Sequence, residues 1–108
     1  MALQSIRSVN WTDDETPMGG VSQATGILVS WQNGPCPVDE TGARPNENGG
    51  FVETIILIAK DRLSYYQDGK FASEENAKAI HYLEEALKVL DSRTNRRTNE
   101  GVEGTHTV

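Results

Sequence analysis

The chain has 108 residues, a net charge of −6 and 36% hydrophobic content, which gives room for one domain with a modest core. An acidic surface repels long DNA or RNA, and the lone cysteine, Cys36, excludes an intramolecular disulfide. The longest apolar run, residues 55–59, is far too short for a membrane span, and the start Met1-Ala2-Leu3-Gln4-Ser5-Ile6-Arg7 has no leader-like apolar stretch; together these predict a soluble, intracellular protein.

The chain changes character near Gly49-Gly50. Before it, Gly, Pro, Thr, Ser and Asn abound. Residues 5–11 and 26–31 each read as a short strand ending in Trp, and an antiparallel pair or part of a small sheet is the natural arrangement. Residues 33–49 carry Gly34, Pro35, Pro37, Gly42, Pro45 and Gly49, which predicts a long loop. After it, helix formers dominate. Phe51, Val52, Ile55, Ile56, Ala59, Leu63 and Tyr66 recur at three- and four-residue steps, so a helix over 50–68 would carry them on one face, with Asp68-Gly69 as its stop. Ser73 can cap a second helix, with Glu74 and Glu75 at the positive end of its dipole. Ile80, Leu83, Leu87 and Leu90 form a heptad-like seam, and Gly101 is the expected stop. The short connection between the helices makes them antiparallel. The predicted class is α+β: a single domain, 1–108, with strands and loops over 1–48, then a helical hairpin and tail over 49–108 that oligomerises through its helices.

No constellation for catalysis or metal binding emerges, and no cofactor is implied. Cys36 has no histidine near it in sequence, and Gly34-Pro35-Cys36-Pro37 reads as a constrained turn. His81 is a boundary residue beside the seam. Glu84 and Glu85 read as a solvated face pairing with Lys88 at i,i+4. Asn76 falls on the seam, where an amide either sets helix register or meets a ligand. Arg93 and Arg97 share a helix face and, with Arg96, concentrate positive charge on an acidic chain. They either cap the helix or hold two phosphate oxygens through forked hydrogen bonds. Tyr65, Tyr66 and Phe71 cluster at the hairpin turn, as packing or as a stacking platform for a purine. Seventeen residues of helix between Asn76 and Arg93 span about 25 Å, so one small ligand reaches both ends only if an antiparallel partner chain brings its arginines alongside.

Residues 75–87, Glu-Asn-Ala-Lys-Ala-Ile-His-Tyr-Leu-Glu-Glu-Ala-Leu, together with Arg93-Thr94-Asn95-Arg96-Arg97 and Gly101-Val102-Glu103-Gly104-Thr105-His106, resemble the helical-hairpin family of phage anti-defence proteins, which includes the anti-Thoeris and anti-CBASS signal sponges. Gly49-Gly50-Phe51-Val52-Glu53, Asp61-Arg62-Leu63, Tyr65-Tyr66-Gln67 and the strand-bearing N-terminal half favour the anti-Thoeris branch. The resemblance implies a non-enzymatic sink in the cytoplasm of the infected bacterium. It would bind glycocyclic ADP-ribose, made by TIR-domain proteins, and hold it uncleaved between chains of a dimer or larger assembly. It further implies that Tyr66 stacks on the adenine, Asn76 hydrogen-bonds the ligand, Arg93 and Arg97 clamp the pyrophosphate, and Arg44 adds a contact. Some relatives also hold cyclic di- or trinucleotides at a separate site in a hexamer, for which Gly101, Gly104, Thr105 and His106 are the candidates, against a purely structural tail. The competing expectations are an enzyme that degrades such a messenger and a helical adaptor.

Overall fold

The computed structural model describes residues 3–34 and 36–99, with side chains described through residue 93. Its elements are β1 (Arg7–Asp13), β2 (Thr16–Ala24), β3 (Ile27–Trp31), α1 (Val52–Gln67) and α2 (Glu74–Asn99). Among the described residues two compact units form, one on the N-terminal side of the chain up to Phe51 and one over Val52–Arg96.

The N-terminal unit is a three-stranded antiparallel sheet in the order β1-β2-β3. The two strands expected from the sequence are therefore not partners. Both pair with β2, a strand that Pro17, Gly19 and Gly20 disguise. Pro17 is tolerated because β3 pairs only with residues from Gly20 onward; opposite Thr12, β2 has a single neighbour and the missing amide costs no second ladder. Gly20 is required by close approach, since a Cβ there would lie within 2.4 Å of the Val9 carbonyl oxygen. The register of β1 against β2 slips between Asn10 and Thr12, leaving Trp11 at a bulge. Cross-strand polar contacts then lock the sheet: the hydroxyls of Ser8 and Ser22 lie 2.8 Å apart, and the indole Nε1 of Trp31 donates to Ser22 Oγ at 2.8 Å.

The predicted loop is present and is tied at its base. Gln32 Oε1 accepts from the amides of Asn48 (2.9 Å) and Gly49 (3.3 Å), while Asn33 and Asn48 exchange two side-chain-to-backbone bonds at 2.9 and 2.8 Å. Gly50 forms a parallel bridge to Trp31 beside β3, donating its amide to Ser30 O at 2.7 Å and accepting from Gln32 N at 3.0 Å. Within the loop, one Asp39 carboxylate oxygen accepts from Thr41 N, Thr41 Oγ1 and Ala43 N at 2.8, 2.6 and 3.0 Å. Cys36 is the buried hydrophobic side chain of this unit, 2% exposed.

The helical unit ends α1 at Gln67, as the sequence suggests, but Gly69 does not take the left-handed conformation expected of a glycine stop. Instead the Asp68 and Gly69 amides fold back onto the carbonyls of Ser64, Tyr65 and Tyr66. Ser73 caps α2, its Oγ accepting from the Asn76 amide at 3.0 Å. Lys60 faces Glu84 across the hairpin at 3.8 Å, so the helices run antiparallel. Glu84 thus belongs to the hairpin contact rather than to the solvated face expected for it, and Lys88 pairs with Glu85 at 3.0 Å instead, three residues away rather than four. α1 begins at Val52, which leaves Phe51 outside it, and Val52 and Ala59 are exposed, which narrows the apolar face to Ile55, Ile56, Leu63 and Tyr66. No side chain of α1 is fully buried, and Ile80, Leu83, Leu87 and Leu90 are all only half-buried. The Gly101 stop lies outside the described residues.

Two outcomes follow. Asp14 and Glu15, the two residues of the β1–β2 turn, both have positive φ, 51° and 67°, the conformation of a tight hairpin turn for which Gly is favoured at the second place. Glu15→Gly should stabilise the protein by roughly 1 kcal/mol, read as a raised melting temperature in scanning calorimetry. The hydrogen bond from the Thr41 hydroxyl first, then the amides of Thr41 and Ala43, hold Asp39 below its ordinary value of 3.8. Because the folded value is lowered, the loop's support is full above 3.8 and fades as the pH falls below it. Amide exchange at Thr41 and Ala43 should accelerate in that window, and Asp39→Asn should remove the pH dependence.

Candidate functional site

The hairpin connection is built by a circuit of hydrogen bonds. The Gln67 side chain accepts from Ser73 N at 2.8 Å and donates to Ser73 O at 3.1 Å. Ser73 Oγ then caps Asn76 N, and Asn76 Nδ2 donates to Phe71 O at 3.0 Å. These bonds satisfy groups that helix ends leave unpaired, and they fix Phe71 beside the last turn of α1. The Phe71 ring meets the Tyr66 ring edge-on, 6.1 Å between centroids at 84°, and Tyr65 lies 5.9 Å from Tyr66. Edge-to-face and tilted aromatic pairs of this separation are favourable beyond the area they bury.

An open pocket of about 500 Å³ lies here, lined by Arg62, Tyr65, Tyr66, Asp68, Gly69, Lys70 and Phe71. It combines three aromatic rings with two cations. Arg62 stands one turn before Tyr66 on the same face of α1. Its Nε donates to the Tyr66 phenol oxygen at 3.1 Å, and its guanidinium carbon is 5.0 Å from both the Tyr65 and Tyr66 ring centroids. The hydrogen bond to Tyr66, and then the phenol's charge, hold the Arg62 guanidinium above its ordinary value. Lys70 Nζ sits 5.8 Å from the Phe71 ring centroid. Rings and cations in one pocket suit a ligand that is itself both aromatic and anionic.

The sequence-predicted residues divide into groups. Tyr66 and Asn76 come together at the turn, joined through Phe71. The Asn76 amide nitrogen is engaged within the turn, on the Phe71 carbonyl rather than across the helical seam; among the described residues its Oδ1 makes no hydrogen bond. Arg93 is exposed and lies about 25 Å further along α2 than Asn76, so it is not part of this pocket within one chain. Arg44 belongs to the N-terminal unit, where its Nη1 donates to the Cys36 carbonyl and its guanidinium lies 5.7 Å from the Phe51 ring centroid. Arg97, Gly101, Gly104, Thr105 and His106 lie outside the described side chains. Arg62 and Lys70 were missed as site residues. The signal for Arg62 was present in part, since an arginine four residues before a tyrosine shares its helix face; Lys70 sits in the connection, where periodicity carries no information.

Among the described residues no group of three or more His, Cys, Asp or Glu side chains gathers to hold a metal, and no helix is long and apolar enough to cross a membrane. Ser73→Ala should cost about 1 kcal/mol through the lost cap and loosen Phe71, seen as a lower melting temperature and a weakened Tyr66–Phe71 contact in nuclear Overhauser spectra.

Residues 26–94 match the family model described as Acb2/Tad1, hairpin domain. The protein Thoeris anti-defense 1 of Bacillus phage SBSphiJ7 is 47% identical over 78 residues, covering 72% of this chain and 51% of that relative. The chain thus spans about half the length of the curated relative it matches.

Proposed function

This chain belongs to the Acb2/Tad1 hairpin-domain family, and from that premise we propose that it is a phage anti-defence protein that sequesters a cyclic nucleotide messenger without cleaving it. The messenger would be glycocyclic ADP-ribose, and its capture would block Thoeris immunity in the infected cell. The observation that carries this reading is the turn pocket, whose three aromatic rings suit an adenine and whose Lys70 ammonium suits a phosphate. In this assignment Tyr66 stacks on the adenine and Asn76 Oδ1 accepts from its exocyclic amine. Arg93 and Arg97 of a second copy clamp the pyrophosphate, because the arginines of the same chain are too far along α2.

The half-buried seam supports the second copy. Covering what stays exposed of Ile80, Leu83, Leu87 and Leu90, in each the smaller share of the side chain, would contribute roughly 2–6 kcal/mol, which only another apolar surface provides. Arg44 and the tail residues Gly101, Gly104, Thr105 and His106 remain assigned as further contacts, the tail for cyclic di- or trinucleotides in a larger assembly. A helical adaptor is the second reading. It draws on Tyr82 and Val89, seven residues apart on α2 and 68% and 69% exposed, a stripe suited to a partner helix.

Isothermal titration with glycocyclic ADP-ribose, its isomers and cyclic oligonucleotides tests the proposal, with intact ligand recovered after heat denaturation. Arg93→Ala and Arg97→Ala should each weaken binding by roughly ten- to a hundredfold while leaving the melting temperature nearly unchanged. Unaltered affinity in the double variant would rule out the phosphate clamp. Loss of anti-defence activity only when the Tyr82–Val89 stripe is changed would favour the adaptor, and release of a cleaved product would establish an enzyme.

A further inference from the structure

The stacking role proposed for Tyr66 demands that its ring be held in one plane before a ligand arrives, since a ring that must be ordered on binding gives back part of the affinity as lost conformational freedom. Phe71 and Tyr65 pack against the Tyr66 ring, but ring contacts alone do not hold its phenol oxygen. Among the described residues that oxygen is held by Arg62, through Nε at 3.1 Å. The same guanidinium lies 5.0 Å from the centroids of both Tyr65 and Tyr66, so it ties the two adjacent rings to one another as well as to α1. Arg62 and Tyr66 are one helical turn apart, and this tie is built on the helix backbone rather than on a loop.

We infer that Arg62 is a positioning residue, which pre-orders the Tyr66 ring through its phenol oxygen and so prepares the pocket for a purine. The inference rests on the stacking role given above to Tyr66 and adds a residue to it. It explains why a tyrosine suits this place. Phenylalanine would offer the same ring face but would leave Arg62 with no oxygen to hold. It also separates Arg62 from the phosphate-clamping arginines, because Arg62 acts on the ring and not on the ligand's charge.

The test is a double-mutant cycle with Arg62→Ala, Tyr66→Phe and their combination, titrated with glycocyclic ADP-ribose at several salt concentrations. It is accompanied by aromatic carbon relaxation of the ligand-free proteins, with Arg62→Lys as the conservative variant. Each single substitution should lower affinity by roughly five- to tenfold, the loss of one hydrogen bond. The combination should be no worse than either alone within about twofold, because both break the same link. Arg62→Ala should keep its loss of affinity at high salt, where long-range attraction is screened, should increase motion of the Tyr66 ring in the free protein, and should be partly rescued by Arg62→Lys, whose ammonium still donates to the phenol. Additive losses that fade at high salt would overturn the inference in favour of an effect of the Arg62 charge on the phosphates. Unchanged affinity in Arg62→Ala would overturn it outright while leaving the sponge proposal standing. Failure of the wild-type protein to bind any of these nucleotides would sink the sponge proposal; the ring relaxation then decides the inference alone, and an unaltered Tyr66 ring in Arg62→Ala would overturn it.

Discussion

The candidate site depends on the bond pair between the Gln67 side chain and the Ser73 backbone. A helix end and a helix start each leave backbone groups unpaired, and a connection of six residues between α1 and α2 has little freedom to satisfy them separately. Gln67 satisfies both groups of Ser73 at once. Ser73 is thereby placed to cap α2, Asn76 is placed to hold Phe71, and Phe71 is placed against Tyr66. Each step uses a group that would otherwise face water or go unpaired. The pocket lies on the outer surface of this circuit.

The hairpin itself is incomplete as a folded unit. Its described side chains include none that are fully buried, and its apolar seam is half covered. A two-helix unit has no third layer to close over its faces, and packing two helices alone leaves about half of each apolar stripe in water. In the proposed assembly a second chain would cover that deficit. The same association would solve the separation between the turn pocket and Arg93, since an antiparallel copy inverts the hairpin and carries its arginines toward the turn. One arrangement therefore answers both the energetic and the chemical problem.

The N-terminal unit solves its own problems locally. The sheet is narrow, and the loop of residues 33–49 would be costly to hold without internal contacts. The side-chain amides of Gln32 and Asn48 close the base, that of Asn48 on the Asn33 backbone, and the Asp39 carboxylate organises the middle. Arg44 lies within this framework, bonded to the Cys36 carbonyl and close to Phe51, so the loop positions a cation through bonds to its own backbone.

The helices were legible in the sequence because their information is local. Apolar spacing, the Ser73 cap and the acidic first turn of α2 act within a few residues; the structure keeps the cap and the acidic turn, and narrows the α1 face by Val52 and Ala59. The cluster of Tyr65, Tyr66 and Phe71 was legible for the same reason, as was the distance from Asn76 to Arg93, which follows from helical rise alone. What escaped was non-local. β2 is a strand because two neighbours supply its ladder, which overrides the poor propensities of Pro17, Gly19 and Gly20. The parallel bridge of Gly50 to Trp31 depends on a loop returning to its starting strand, and Glu84 faces Lys60 only because the helices are antiparallel. Within the site, residue spacing specified that Arg62 and Tyr66 share a face. Only the tertiary structure decided that the Arg62 guanidinium bonds the phenol and lies near two rings, because side-chain direction is settled by what packs around it.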